Sequence, residues 1–446
     1  MRIAVIGSGI SGNMAAYKLA THHDITVYEK RDRRGGHSAT KDIDYDGQGT
    51  MMSIDTGFIV YNELNYPGLT ALFDELDVDT MDSNMSFAFS ANHGAMEWSG
   101  QSIATVFAQK SNIVKPRFWW MLREIFRFNK LAARDHQAAL DAGPSAASQQ
   151  SLQAWLAQYG FGDTFLRHYL LPMGAAIWST PAEEMLNFPA SSFLQFFYNH
   201  RLINADRPQW RTVCGGSRNY VEKLTASFAD RIRLNAEVTS ITRRDNGVSV
   251  TANGRTEDYD HVVIASHSDQ ALAMLADADE AERDVLSAVR YLPNQVYLHR
   301  DDRLMPKRQK TWSAWNYLSL NEGKRDGKQD GEQADPLMTV SYWMNRLQNL
   351  DADKPVFVTL NPAEPPAPEL TYGHYVYDHP QFDGGAIEAQ KKLASLQGTR
   401  RTWFCGAWTG FGFHEDGLQS ALRVTDGLAQ IGAPLVAAMK SPEAAE

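Results

Sequence analysis

The chain has 446 residues, 43% hydrophobic and 22% charged, ordinary proportions for a globular protein. At about 150 residues per domain, that length allows two or three domains with sizeable cores. A net charge of −10 argues against nucleic acid as a partner. Cys214 and Cys405 are the only cysteines, which excludes a disulfide framework, and neither has metal-ligand spacing. There is no run of 18 apolar residues and the start reads as a strand rather than a signal peptide, so a cytoplasmic protein is expected.

The first thirty residues are the most informative. A β-branched strand, Ile3 to Ile6, runs into Gly7-Ser8-Gly9-Ile10-Ser11-Gly12 and then a helix to Leu19. A second strand, Ile25 to Tyr28, ends on Glu29. Gly7 permits a tight turn, Gly9 lets backbone approach a pyrophosphate, and Gly12 lets helix pack on strand. The helix N-terminus offers free N–H groups and a positive dipole end to phosphates. Glu29, about 20 residues after the Gly cluster, is placed to accept from ribose hydroxyls. These features predict a dinucleotide site.

Gly35-Gly36, just after the second strand, reads either as a second backbone approach to a phosphate or as an ordinary turn. Tyr61, after Asp55-Thr-Gly-Phe-Ile-Val, is a candidate to face a ring of the cofactor. A hairpin is expected at Phe87-Ala-Phe and Ala95-Met-Glu-Trp around Asn92-His-Gly94, followed by a mostly helical region over 100–205. Seven basic residues stand against Glu124 alone between Lys110 and Arg134. Arg123, Arg127, Lys130 and Arg134 repeat on one helical face. Two readings remain open here. A basic amphipathic helix with interfacial Trp lies on an anionic membrane, or a substrate-domain helix solvates its basic face and buries its back. The aromatic run Phe193 to Arg201 reads as core.

Strand-like runs follow at Gln295 to His299, Thr311 to Tyr317, Met338 to Trp343 and Val356 to Leu360, suiting a mixed or antiparallel sheet that lines a substrate cavity. The runs around Thr311 to Tyr317 and Met338 to Trp343 carry no Lys; Lys307 and Lys310 precede them. Their rings, Trp312, Trp315, Tyr317, Tyr342 and Trp343, suit an apolar substrate or a packed core in about equal share, and Tyr342 is taken as a catalytic candidate. Residues 323–335 read as a polar loop. Cys405 sits in an expected buried strand and reads as a small core residue rather than a covalent flavin link. Beyond it come a Gly-rich turn and a helix from near Gly417, a second N-terminus able to face the N1/O2 edge of a flavin. His414, just before that helix, is the candidate general base, since an unperturbed pKa near 6.5 suits proton work; a capping His is the alternative. Glu415 and Asp416 read as cap and dipole partners. The tail after about Gly432 should fray.

The acid, Arg, Gly-Gly and Thr pattern at Glu29, Arg33, Gly35, Gly36 and Thr40 resembles the superfamily of FAD-dependent amine oxidases, phytoene desaturases and protoporphyrinogen oxidases. Asp55-Thr56-Gly57, Cys214-Gly215-Gly216-Ser217, Glu237-Val238, Tyr259 to Ala265, Phe404-Cys-Gly406 and Gly417-Leu-Gln-Ser420 match further segments in the same order. The family usually has Arg where this chain has His37. More narrowly, the chain resembles bacterial NAD/FAD-binding oxidoreductases often encoded beside cyclopropane fatty acyl phospholipid synthases.

The resemblance implies an α/β fold: a Rossmann-like FAD-binding domain of the GR2 type, interleaved with an α+β substrate domain containing a mixed sheet and a helical subdomain. The expected bounds are 1–60, 205–280 and 395–435 for the former, and 61–204 with 281–394 for the latter. It implies FAD held non-covalently by Gly7, Gly9, Ile10, Ser11, Gly12, Glu29, Lys30, Arg33, Gly35, Gly36, His37, Gly57, Phe58, Val238, Ala265, Gly406, Gly417, Leu418 and Ser420. The expected activity is dehydrogenation of a hydrophobic substrate, a lipid acyl chain, by hydride transfer to flavin N5. The alternatives are an amine oxidase releasing hydrogen peroxide and a non-catalytic redox or partner-binding flavoprotein. Peripheral contact with anionic lipid at the inner membrane face is expected through residues 110–134 if the first reading of that helix holds.

Overall fold

The computed structural model describes residues 1–142, 150–204, 206–319 and 339–432. The loop expected at 323–335, Met338 and the tail after Gly432 lie outside the described residues. By contacts the chain forms two compact units, Met1–Arg34 with Leu224–Asp284 and the segment from Lys392, and Gly35–Lys223 with Val285–Lys391. The first crossing therefore falls between Arg34 and Gly35, where a boundary near 60 was expected, and residues 206–223 group with the second unit.

The first unit is built on a five-stranded sheet in the order Ile232–Arg233, Asp24–Tyr28, Arg2–Ile6, His261–Ile264, Thr402–Phe404, every neighbouring pair parallel. Ile3, Val5, Val27, Val262, Val263 and Phe404 are all buried. Such continuously apolar strands are what a parallel sheet covered on both faces requires. The helix Ile10–Leu19 crosses from the first strand to the second. A three-stranded antiparallel sheet, Val238–Arg244, Gly247–Ala252 and Arg255–Tyr259, completes the unit.

A fully buried cation braces that small sheet. The guanidinium of Arg243 makes two hydrogen bonds to Glu282, at 2.7 and 2.8 Å, and one at 2.5 Å to Asp277. With the Arg243 side chain 1% and that of Glu282 3% exposed, the pair persists because the fork geometry satisfies both carboxylate oxygens.

The second unit centres on a seven-stranded mixed sheet in the order Thr371–Gln381, Arg290–His299, Phe357–Leu360, Thr339–Trp343, Trp315–Ser319, Phe87–Ala91, Met96–Ser99. Only the Trp315–Ser319 and Phe87–Ala91 pair is parallel. The expected hairpin is present, with Ala88 opposite Ser99 and Ala91 opposite Met96. Thr371–Gln381, eleven residues long, is absent from the sequence-based expectation. It is an edge strand, so its Gly373, Asp378 and Pro380 interrupt the apolar pattern without breaking the ladder. Among the described residues, helices make up most of 103–142 and 152–199, the longest being Pro116–Ala142. Their core is a stack of rings: Phe128 stands 5.6–6.0 Å from Trp155, Phe161, Phe165 and Phe197. Phe193, Phe196 and Phe197 are buried as expected.

Candidate functional site

In the first unit the N-terminal turn carries three different glycine requirements. Gly7 has φ +100°, and a β-carbon there would stand 2.8 Å from the Ala265 carbonyl oxygen. A β-carbon on Gly12 would stand 1.9 Å from the Gly7 oxygen and 3.2 Å from the Ala265 β-carbon. Both positions are closed by the protein itself. Gly9 is the opposite case, since a β-carbon there would meet nothing within 4 Å. Gly9 immediately precedes the helix Ile10–Leu19 and no side chain caps that helix. Backbone is thus presented to open space at a positive helix end, the cradle a pyrophosphate needs. Ile10 and Ser11 are buried behind it.

Glu29 is 6% exposed and already engaged. Its Oε2 accepts from the Ser8 N–H at 3.0 Å and the Ser8 hydroxyl at 2.6 Å, and its Oε1 accepts from the Arg31 N–H at 2.9 Å. The carboxylate therefore ties the end of the second strand to the glycine turn, and only the remaining acceptor capacity of Oε1 can serve a ribose. Lys30 is exposed and Arg33 half-buried. Val238 is 7% exposed at the start of its strand, and the Ala265 N–H donates to the Ile6 carbonyl at 2.8 Å.

The C-terminal helix begins at His414, so that residue is its first and not the one before it. Ser420 Oγ accepts from the Gly406 N–H at 2.9 Å and donates to the Gly417 carbonyl at 2.7 Å. The turn and the helix are thereby locked, with Leu418 fully buried. Asp416 Oδ2 accepts from the Phe411 and Phe413 N–H groups at 3.1 and 2.9 Å, which makes it the clamp of the preceding loop. Desolvation raises its pKa to about 6 despite those two donors. Desolvation lowers that of His414 to about 3, leaving a neutral ring that accepts a proton poorly. The expectation of an unperturbed base near 6.5 is corrected. Burial pushes the Cys405 thiol up to about 12, and the residue is part of the core.

In the second unit, the motif residues converge on Asp55, 1% exposed. Its carboxylate accepts from Thr40 Oγ1 at 2.6 Å, Ser217 Oγ at 2.7 Å, the Ser217 N–H at 2.9 Å and Gln348 Nε2 at 3.2 Å. Burial raises its pKa although the Thr40 and Ser217 donors oppose the shift. A β-carbon on Gly216, at φ +100°, would stand 2.5 Å from the Thr40 methyl, so the Gly-Gly turn exists to bring Ser217 onto Asp55. Gly35 and Gly36 both have positive φ. Gly57 packs on His37, whose carbonyl accepts from the Phe58 N–H at 2.8 Å.

The His37 ring lies 5.3 Å from Tyr377 and 5.8 Å from His379. Asn294 Oδ1 accepts from Asn361, so its Nδ2 is oriented to His379 Nδ1 at 3.2 Å, which assigns the proton of a neutral His379 to Nε2. Thr56 Oγ1 and the Tyr377 hydroxyl are 2.8 Å apart. This cluster escaped sequence reasoning because Tyr377 and His379 sit on the unanticipated edge strand.

The catalytic candidates separate. Tyr61 is 2% exposed and edge-on to Phe73 at 5.1 Å, packed as a core ring. Tyr342 is also buried, edge-on to Trp315 at 5.2 Å. Its hydroxyl makes no hydrogen bond among the described residues, and burial raises its pKa. The seven strands of the sheet contain no Lys, and Lys307 and Lys310 are exposed.

The profile of the flavin containing amine oxidoreductase family matches residues 10–428. Over 272 residues the chain is 24% identical to AofH of Mycobacterium tuberculosis, a protein assigned by name to the flavin-containing monoamine oxidases. The match covers 59% of this chain and 56% of that one, so the chain spans about half the length of this curated relative. Putrescine oxidase bound to putrescine superposes with a TM-score of 0.66 at 17% identity, over 96% of this chain and 99% of the other. The fatty acid isomerase of P. acnes that produces CLA superposes with a TM-score of 0.64, also at 17% identity, over 97% and 99%. At such identities the superpositions establish the fold: a Rossmann-like nucleotide-binding fold interleaved with a mixed-sheet and helical substrate domain.

Proposed function

This chain belongs to the flavin containing amine oxidoreductase family and is an FAD-dependent oxidoreductase, and from that premise we propose that it oxidises a hydrophobic amine at the carbon bonded to nitrogen. Bound FAD supplies the acceptor for the hydride leaving that carbon. The substrate nitrogen loses a proton and becomes an imine, which water hydrolyses, and dioxygen takes the two electrons and two protons to give hydrogen peroxide. The open face at Gly9, before an uncapped helix, fits the pyrophosphate of FAD. The candidate contacts within the first unit run from Gly7 to Glu29 and from Gly406 to Ser420.

The family match over 10–428 carries the amine reading, and the name of the Mycobacterium tuberculosis relative supports it. A lysine-free sheet of aromatic rings is compatible with it. Ring faces attract an ammonium, and burial then favours its neutral form. The Tyr342 hydroxyl, protonated and without a partner in the described residues, is a group that can orient the substrate nitrogen. Tyr342→Phe should lower kcat/KM about tenfold and leave FAD retention unchanged.

A lipid acyl chain is the second reading. It is favoured by the same lysine-free aromatic strands, by the resemblance to desaturases, and by the fatty acid isomerase sharing the fold. Anaerobic titration of the yellow protein separates the two. Loss of oxidised flavin absorbance with aliphatic or aromatic amines, and peroxide release in air, supports the first reading. Reduction by fatty acids or phospholipid extract but by no amine overturns it in favour of the second.

A further inference from the structure

We propose that the segment Ile103–Arg134 is a docking surface for an anionic phospholipid bilayer, on which the protein rests peripherally. The surface lies wholly within the second unit. Among the described residues no helix is long and apolar enough to cross a membrane, and interfacial attachment requires none.

The observation is where the helix Pro116–Ala142 puts its side chains. Phe118, Met121, Phe128 and Ala132 are buried and form its inner face. At about 100° per residue, Trp119, Trp120, Arg123, Phe126, Arg127 and Lys130 fall within roughly 120° of arc on the opposite side. The basic and the outward aromatic residues thus share one face, rather than opposing each other as in a helix with a solvated charged side and a buried back. Phe126 is 75% exposed, Trp120 56% and Trp119 51%.

Neighbouring turns extend the same surface. Val114 is 79% and Ile103 81% exposed. Trp119 Nε1 donates to the Ile113 carbonyl at 2.8 Å, and the Trp119 ring lies 5.1 Å from Phe107, so these segments are bound together. Of the thirteen exposed large apolar side chains among the described residues, six lie between Ile103 and Phe126. That concentration marks an interaction site, since scattered apolar exposure alone would need no explanation.

Charge selects the occupant. From Ile103 to Arg134 there are seven basic residues and one acid, Glu124, which is buried with Oε1 accepting from the Gly162 N–H at 2.9 Å. Lys110, Arg117, Arg123 and Lys130 are exposed and form no ion pair among the described residues. Arg123 instead lies over the Trp120 ring at 4.8 Å, keeping ring and charge at one level, as headgroups beside acyl chains demand. Arg134 is paired with Asp135 at 2.7 Å, so a symmetric contact with a second copy would still set six uncompensated basic residues against six. Nucleic acid would leave Ile103, Ile113 and Val114 without a partner. An anionic bilayer accommodates both features at once, phosphates for the basic groups and acyl chains for the aliphatic ones.

The test uses the FAD-loaded protein with vesicles of phosphatidylcholine containing about 30% phosphatidylglycerol, a content chosen to mimic an anionic leaflet, and with vesicles of phosphatidylcholine alone. Co-sedimentation should favour the anionic vesicles more than tenfold and weaken with salt. Each basic group is worth about a factor of five, so Arg123→Glu with Lys130→Glu should reduce binding at least tenfold. Trp119→Ser with Phe126→Ser should abolish the salt-resistant remainder. Unchanged flavin content and circular dichroism certify both variants as folded. No binding by the parent, or binding that neither variant diminishes, overturns the proposal. So does a parent dimer in sedimentation equilibrium that Trp119→Ser dissolves, because a second copy then covers the face. Failure here leaves the substrate reading intact, since flavin reduction in solution is measured without vesicles.

Discussion

A β-carbon placed on Gly417 would stand 2.8 Å from Ser11 Oγ and 2.9 Å from Ile10 Cγ2. The N-termini of the first helix and of the C-terminal helix, almost at opposite ends of the sequence, therefore press against one another within the first unit. Two positive helix ends brought this close form one region favourable to anionic groups. Gly417→Val should push the helices apart and at least halve the flavin-to-protein ratio of the purified protein. A normal ratio would show that their approach is not needed to hold FAD.

Gly9 separates binding from folding, because the space a side chain would fill there is open in the protein. Gly9→Val should leave the apoprotein's unfolding free energy within about 0.5 kcal/mol of the parent while abolishing FAD rebinding. A variant that still turns fully yellow on addition of FAD would remove this residue from the pyrophosphate site.

Asp416 links the loop at Phe411–Phe413 to pH. Its folded pKa of about 6 lies above the ordinary value of 3.8, so between these values the folded state binds more protons than the unfolded state. Stability must then fall as pH rises through that window. The effect is on the order of 1–3 kcal/mol. Asp416→Asn should flatten the change in urea midpoint between pH 4 and 6.5. An equal slope in parent and variant would locate the titration elsewhere.

Arg243→Ala should be among the most damaging single changes in the first unit. It leaves the buried Glu282 without its bidentate partner in a site where the arginine side chain is 1% exposed, while Asp277 keeps its ion pair with Arg400. The expected loss is about 3–5 kcal/mol in urea unfolding. The double change Arg243→Met and Glu282→Leu should recover most of it, because no charge is then stranded beside the buried arginine's place. A loss no greater in the single than in the double variant would argue that packing, not charge, is what matters.

Local rules made the nucleotide half of the protein legible from the chain alone. Strand, glycine turn, helix and acid follow one another within thirty residues, and each is set by contacts among near neighbours in sequence. The close packing of Gly12 on Gly7 and the anchoring of Ser8 by Glu29 both belong to that short range. The aromatic, lysine-free character of the strands in the second unit was equally visible, because composition survives folding.

Tertiary structure alone decided what distant segments do to each other. His414 looked like a base at its ordinary pKa, and only desolvation in the folded protein brings it to about 3. Tyr61 followed a promising motif, yet packing places it edge-on to Phe73 in the core. The edge strand Thr371–Gln381 hid His379 and Tyr377, because a half-exposed strand is not required to keep an apolar alternation. Periodicity predicted a helix with a basic face, but which of its aromatic rings point inward depends on the ring cluster around Phe128. The side of the helix that packing left uncovered is the one on which Trp119, Trp120 and Phe126 stand among the arginines.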